Sequence, residues 1–133
     1  MTVQDVIRSH PHPGSLDREL LFRCLEECFD CAPTCTACAD ANLAEPDIDE
    51  LVRCIRLCLD CADVCDTTGR VLTRQTEADP GVLRVIIDAC LAACSASAEE
   101  CERHAAHHEH CRLCAVVCRR CEQACRELAE SLG

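Results

Sequence analysis

Cysteine recurs every three or four residues in four separate blocks of the chain, as in "CLEECFDCAPTCTAC". This spacing places all the cysteines of one block on a single face of an amphipathic α-helix, with charged and small residues on the other faces. The pattern therefore predicts four helices, each with a stripe of thiols. The four stripes are Cys24, Cys28, Cys31, Cys35 and Cys38; Cys54, Cys58, Cys61 and Cys65; Cys90, Cys94 and Cys101; and Cys111, Cys114, Cys118, Cys121 and Cys125.

Helix-breaking residues separate most of these blocks. "HPHPGS" precedes the first block, "AEPD" separates the first two, and "EADPG" lies before the third. Asp47 and Asp79 are predicted N-caps, and Pro80 suits the first position of a helix. Pro33 lies inside the first block, where it predicts a kink and not a break. The third junction, "CERHAAHHEHC", contains neither Gly nor Pro.

The register between the stripes predicts where the chain turns. If neighbouring helices are antiparallel, the cysteines pair at matching heights when the turns are centred on Pro46, beside "EADPG", and at Ala105 and Ala106. Short connections of this kind favour up-down-up-down topology. The sequence thus predicts an all-α, antiparallel four-helix bundle over residues 15–133. Residues 1–14 form a separate segment, either a short helical turn at a bundle end or subunit contact, or a partly ordered tail.

The same register stacks the stripes into five layers, roughly 5 Å apart at 1.5 Å of rise per residue. Ser97 replaces a thiol in the second layer, while Thr68 and Ile87 complete the fifth. The layers are Cys38, Cys54, Cys101 and Cys111; Cys35, Cys58, Ser97 and Cys114; Cys31, Cys61, Cys94 and Cys118; Cys28, Cys65, Cys90 and Cys121; and Cys24, Thr68, Ile87 and Cys125.

The composition narrows the class of protein. Seventeen of 133 residues are cysteine, whereas only two are phenylalanine and none is tryptophan or tyrosine. The amino terminus has no apolar run typical of a signal peptide, and no membrane-spanning segment is predicted, so we expect a cytoplasmic protein without membrane contact. Thiols stay reduced there, and an odd number cannot all pair, so metal binding is favoured over disulfides. The net charge of −11 argues against nucleic acid binding.

Charge balance favours one metal over the others. Soft thiolate ligands select Cu(I), Zn(II) and iron-sulfur clusters. About four Zn(II) ions in four-thiolate sites would leave about nine thiolate charges uncompensated in the core. Cu(I) ions shared between thiolates would give a neutral filling, with about one ion per cysteine. An iron-sulfur electron-transfer protein and a zinc-thiolate buffer remain as alternatives; no enzymatic activity is predicted, because a column of thiols is not an exposed catalytic pair.

Four histidines crowd the third turn. His104 and His108 are predicted to face the bundle axis near Asn42, where imidazole would bind copper transiently at an entrance. The alternative is a polar cap that only ends the bundle. His107 and His110 are predicted to face solvent.

With these four stripes and the histidine-rich third turn, the chain resembles the cytosolic copper storage proteins from about Ser15 to Ser131. The resemblance implies a bundle that fills with many Cu(I) ions and takes up copper at the histidine-bearing end. It also implies assembly into a homotetramer, and a copper chaperone is a candidate partner.

Overall fold

The computed structural model describes residues 2–132, and every regular element within them is a helix. Its helices are α1 (Val3–Arg8), α2 (Arg18–Leu43), α3 (Val52–Leu72), α4 (Pro80–His104) and α5 (Glu109–Ser131), with a 3-10 turn at Ile48–Glu50. The predicted all-α class is confirmed. The division of the chain at Gly14 stays a prediction.

The four long helices form a closed ring of neighbours. α2 packs against α3 and α5, and α4 packs against the same two helices. The connections are short, so consecutive helices run antiparallel and the topology is up-down-up-down. The turns fall where the cysteine register predicts them, at residues 44–51, 73–79 and 105–108.

Local sequence explains most helix ends. The Asp17 carboxylate accepts a hydrogen bond from the Leu20 amide, and the Asp79 carboxylate accepts one from the Val82 amide, so each caps a helix. The predicted cap at Asp47 is wrong, because α3 begins only at Val52 and the Asp47 side chain makes no cap hydrogen bond. Pro33 lies within an unbroken α2.

The short helix α1 lies at the end of the bundle that carries the α3–α4 turn. Thr2 caps it together with Asp5, and Ile7 is buried in the same apolar core as the bundle helices. His10 Nε2 lies 2.9 Å from Thr76 Oγ1 in the α3–α4 turn. The amino-terminal segment therefore covers this end of the bundle, as one of the two interpretations of the sequence holds.

Helix α4 is long and apolar enough to span a membrane by length and composition, which corrects the expectation that no such segment exists. In the fold it is one wall of the bundle. Its three cysteines are fully buried against α3 and α5.

Candidate metal centre

All seventeen cysteines are free thiols that point into the bundle. Sixteen are fully buried and Cys38 is only 2% exposed. Free cysteine is often buried as a small apolar residue, but the residues that usually fill a core are displaced here to flanking positions. The inside of the bundle is therefore a column of sulfur.

Sulfur atoms contact one another across each predicted layer. Cys54 Sγ lies 3.7 Å from Cys101 Sγ in the first layer, and Cys24 Sγ lies 3.7 Å from Cys125 Sγ in the last. The three layers between them show the same pattern. Their contacts include Cys35–Cys114 (3.7 Å), Cys61–Cys94 (3.7 Å), Cys28–Cys90 (3.8 Å) and Cys28–Cys121 (3.7 Å).

The layers are also joined to one another. Cys58 Sγ lies 3.6 Å from Cys101 Sγ, which joins the first two layers. Further along, the contacts Cys35–Cys118 and Cys65–Cys94 are each 3.4 Å, and Cys24–Cys28 is 4.0 Å. An ion bound at an inner layer of the column therefore has further thiols within reach on both sides, and an ion at an end layer has them on one side.

Groups of four thiols lie close enough to share one ion, but the groups overlap. In several sets all four sulfur atoms lie within 4.8 Å of one another, and Cys31 and Cys121 each belong to two of these sets. These sets include Cys28, Cys90, Cys121 and Cys125; Cys31, Cys65, Cys94 and Cys121; Cys31, Cys35, Cys61 and Cys118; and Cys38, Cys58, Cys101 and Cys114. A cysteine that belongs to two groups could bridge two metal ions. This arrangement is typical of bridging thiolates and not of isolated four-cysteine sites.

Hydrogen bonds between thiols shift their pKa values in both directions. Bonds from Cys125 and Cys28 lower the pKa of Cys24 to about 6, and a bond from Cys101 lowers that of Cys54 to about 4. The pKa of Cys101 is raised, first by its hydrogen bond with Cys114 and also by burial. Some thiols are therefore ready to bind a cation at neutral pH, while their partners hold protons that the metal must displace.

Two positions in the column carry a hydroxyl in place of a thiol. Ser97 donates to Cys58 Sγ at 3.8 Å and accepts from Cys118 Sγ at 3.5 Å. Thr68 is fully buried, and its Oγ1 has no hydrogen-bond partner among the described residues. Both lie where the register predicts them.

A mixed site of nitrogen and sulfur ligands lies at the end of the column near the α4–α5 turn. His110 Nδ1 is 3.5 Å from Cys38 Sγ and 3.7 Å from Cys111 Sγ. The Cys111 thiol donates to Asn42 Oδ1 at 3.5 Å, and the Asn42 side chain is fully buried, with no hydrogen-bond partner for its Nδ2 within residues 2–132. The expectation that His110 faces solvent is wrong, since its side chain is 26% exposed and contacts two thiols.

The two histidines predicted to face the axis are held by carboxylates. His104 Nε2 lies 3.0 Å from Glu100 Oε2. His108 Nδ1 lies 2.7 Å from Glu45 Oε2, and its Nε2 lies 2.8 Å from Asp47 Oδ2. Their role as copper ligands remains a prediction, and these partners occupy the nitrogen atoms named here.

The error over His110 has a local cause. The register extends the fourth bundle helix back to His108, next to the turn predicted at Ala105 and Ala106, but α5 begins only at Glu109 and His108 is extended, with φ −135° and ψ 113°. The side chain of His110 is therefore set by the start of a new helix. The only sequence signal for it is its position next to Cys111.

A four-helix bundle that buries a continuous column of reduced thiols, with imidazole at one end, defines a protein that stores soft metal ions. The family model for copper storage proteins (Csp) matches residues 17–130. The chain belongs to the copper storage protein family.

Solved structures and a curated relative agree with this family. The chain is 53% identical to the Streptomyces lividans copper storage protein Ccsp loaded with 10 copper equivalents, with a TM-score of 0.95 over 98% of this chain and 99% of that chain. It is 55% identical to a cytosolic copper storage protein from the same organism with five coppers, with a TM-score of 0.85 over 86% and 96%. An uncharacterized cysteine-rich Bacillus subtilis protein, YhjQ, is 34% identical over 106 residues, which are 80% of this chain and 93% of the relative.

Proposed function

We propose that this chain stores Cu(I) in the cytosol and holds about one ion per cysteine. The observation that supports this most strongly is the column itself, in which seventeen buried free thiols contact one another from end to end. Storage is a role without catalysis, and the solved relatives carry five and ten coppers.

The overlap between the thiol groups favours Cu(I) over Zn(II). Three of the four-cysteine groups named above share no member and use twelve cysteines, so zinc ions at these three groups would leave five thiols without an ion. Each Zn(II) site with four thiolates also keeps two negative charges in a dry core. Cu(I) bridged by thiolates cancels charge ion by ion, which a column with shared ligands allows.

The site formed by Cys38, His110 and Cys111 is the proposed entrance. It is the place where the column meets imidazole and a partly exposed surface, since His110 is 26% exposed. A copper ion that binds there lies beside further thiols of the first two layers, because Cys38 also belongs to a group with Cys58, Cys101 and Cys114.

A titration of the reduced apo-protein with Cu(I), against a chelator that absorbs when it binds Cu(I), tests the capacity. We expect the chelator to stay metal-free until about as many equivalents are added as there are thiols, seventeen. Saturation near four equivalents would overturn the proposal and favour the zinc buffer. Strong visible absorption of the protein as isolated would favour the iron-sulfur alternative, because Cu(I) thiolates have no such bands.

We further infer a homotetramer and delivery of copper by a chaperone, both from the family resemblance. Two exposed apolar patches are available for subunit contact. Val52 and Leu59 lie on α3 and are 62% and 43% exposed, and Val82 and Val85 lie on α4 and are 58% and 69% exposed. Light scattering coupled to size-exclusion chromatography tests the tetramer, and a monomer at micromolar concentration would contradict it.

A further inference from the structure

A single carboxylate oxygen lies between two histidines at the mouth of the column. Glu45 Oε2 is 2.9 Å from His110 Nε2 and 2.7 Å from His108 Nδ1. Glu45 belongs to the α2–α3 connection, whereas both histidines belong to the start of α5. The contact therefore joins the α2–α3 connection to the start of α5 at the entrance.

An ionised carboxylate only accepts hydrogen bonds, so the nitrogen that faces it must carry the proton. For His110 this nitrogen is Nε2. The neutral ring then keeps its lone pair on Nδ1, the atom that lies 3.5 Å from Cys38 Sγ and 3.7 Å from Cys111 Sγ. The carboxylate thus selects the tautomer in which the free nitrogen faces the thiols.

We propose that Glu45 is a positioning residue for copper uptake: it fixes His110 as the Nε2–H tautomer and presents Nδ1 to the incoming Cu(I) ion beside Cys38 and Cys111. The proposal rests on the proposed storage function. Histidines that bind metals commonly donate their other ring N–H to a carboxylate, which sets the ring orientation and makes the ligand nitrogen more basic.

The second histidine holds Glu45 in place. His108 lies between two carboxylates, with Nδ1 on Glu45 and Nε2 2.8 Å from Asp47 Oδ2. Both of its nitrogens face acceptors, so in this arrangement neither offers a lone pair to a cation. The ring of His108 also lies against that of His110, with centroids 5.4 Å apart. His108 and Asp47 therefore act on copper through Glu45 and His110.

The first test is the tautomer of His110 in the apo-protein, read from long-range ¹⁵N–¹H correlation spectra. We expect the Nε2–H form in the wild-type protein and a mixture of both tautomers in Glu45→Ala. The matched control is Glu50→Ala, which removes an exposed carboxylate from the same connection and should leave the spectrum unchanged. An unchanged Nε2–H tautomer in Glu45→Ala would overturn the proposal, whatever the copper chemistry.

The second test is the rate of Cu(I) transfer from a coloured Cu(I) chelate to the reduced apo-protein in a stopped-flow instrument. Loss of an outer-shell partner commonly costs about 10–100-fold in affinity, so we expect Glu45→Ala to slow the first equivalent about tenfold. In a His110→Ala background the same change should have no further effect. Equal slowing in both backgrounds would contradict the proposal, because Glu45 would then act by its charge alone.

The capacity of each variant separates the two proposals. Saturation of Glu45→Ala near the thiol count of the wild-type protein leaves storage intact and confines the effect to uptake. If the wild-type protein itself saturates near four equivalents, it is the storage function that fails, and the tautomer spectra still decide the role of Glu45.

Discussion

The two ends of the thiol column are built from opposite chemistry. At the end formed by the α2–α3 and α4–α5 connections, four polar residues lie beyond the last cysteines, Asn42, His104, His108 and His110, together with one buried leucine, Leu51. At the other end, buried leucines follow the cysteines: Leu21, Leu72, Leu83 and Leu128. A cation crosses an apolar layer only at high cost, so copper should move through the polar end alone.

The apolar end continues the helical faces that carry sulfur. Leu21 lies three residues before Cys24, and Leu128 lies three residues after Cys125, so each lies on the cysteine face of its helix. Ile7 of α1 packs into the same core. The same helix face therefore carries cysteines along the column and leucines at its end. The packed leucines close this end of the column to metal ions.

The polar end is held together differently, by hydrogen bonds between imidazoles at the start of α5 and carboxylates of the α2–α3 connection. His108 and His110 bind the side chains of Glu45 and Asp47 across the mouth. Apolar packing therefore stabilises the leucine end, and imidazole–carboxylate hydrogen bonds stabilise the polar end. Substitutions at the apolar end should change stability, and substitutions at the polar end should change copper exchange.

The largest effect is expected from Leu72→Ala at the apolar end. The Leu72 side chain is fully buried, and truncating such a leucine typically costs about 2–5 kcal/mol of unfolding free energy. Urea denaturation of the reduced apo-protein measures this loss. The matched control is Leu113→Ala, since Leu113 is 50% exposed and its truncation should cost well under half as much. Equal losses would mean that the leucine layer is not a packed seal.

Replacement of His104 and His108 by alanine tests the polar end. We expect copper uptake from a coloured chelate to slow several-fold with little change in capacity, because Glu45 then loses a partner and the mouth loses two imidazoles. The control is the double variant His10→Ala and His12→Ala, whose rings lie at the opposite end near Thr76. Unchanged kinetics in the first variant would reduce the two histidines to a polar cap.

A smaller effect is expected where the column lacks a thiol. Ser97→Cys in the second layer should raise the capacity by about one Cu(I), since Ser97 already contacts the thiols of Cys58 and Cys118. Thr68→Cys in the last layer should do the same, since Thr68 is fully buried and follows Cys65 by three residues on the cysteine face of α3. Metal analysis of the saturated protein measures the increase. A gain at Ser97 alone would show that ions do not reach the layer beside the seal.

The geometry of the column could be predicted from sequence because it depends only on regular helices. Each helix has a constant rise and rotation per residue, so the height of every cysteine from Cys24 to Cys125 follows from its position in its helix. Pro33 does not interrupt α2 and leaves these heights unchanged. Pairing of cysteines across helices then locates the turns, including the one without Gly or Pro.

The mouth could not be predicted in the same way, because several of its contacts involve the irregular connections between helices. Glu45 and His110 are 65 positions apart and meet only because the α2–α3 connection folds over the start of α5. Asp47 was expected to cap a helix but binds His108, since a 3-10 turn delays the start of α3 to Val52. Nothing in the spacing of residues 44–51 indicates these partners.

The smallest effect is a pH dependence that only the polar end should show. The hydrogen bond with Asp47 raises the pKa of His108 above its ordinary 6.5, and the same bond lowers the pKa of Asp47 below its ordinary 3.8. Its stabilisation is therefore complete between about pH 3.8 and 6.5. It declines as pH rises through the raised pKa of His108, and also as pH falls through the lowered pKa of Asp47.

Asp47→Asn exposes this dependence, because it removes one charge from the pair and leaves the leucine end intact. The difference in unfolding free energy between the wild-type protein and Asp47→Asn should be largest near pH 5–6 and should shrink above neutral pH. Urea denaturation of the reduced apo-proteins at a series of pH values measures it. For Leu72→Ala the corresponding difference should stay constant over the same range, since no titrating group is lost. If the difference for Asp47→Asn stays as constant with pH as that for Leu72→Ala, the contact between His108 and Asp47 contributes no pH-dependent stability.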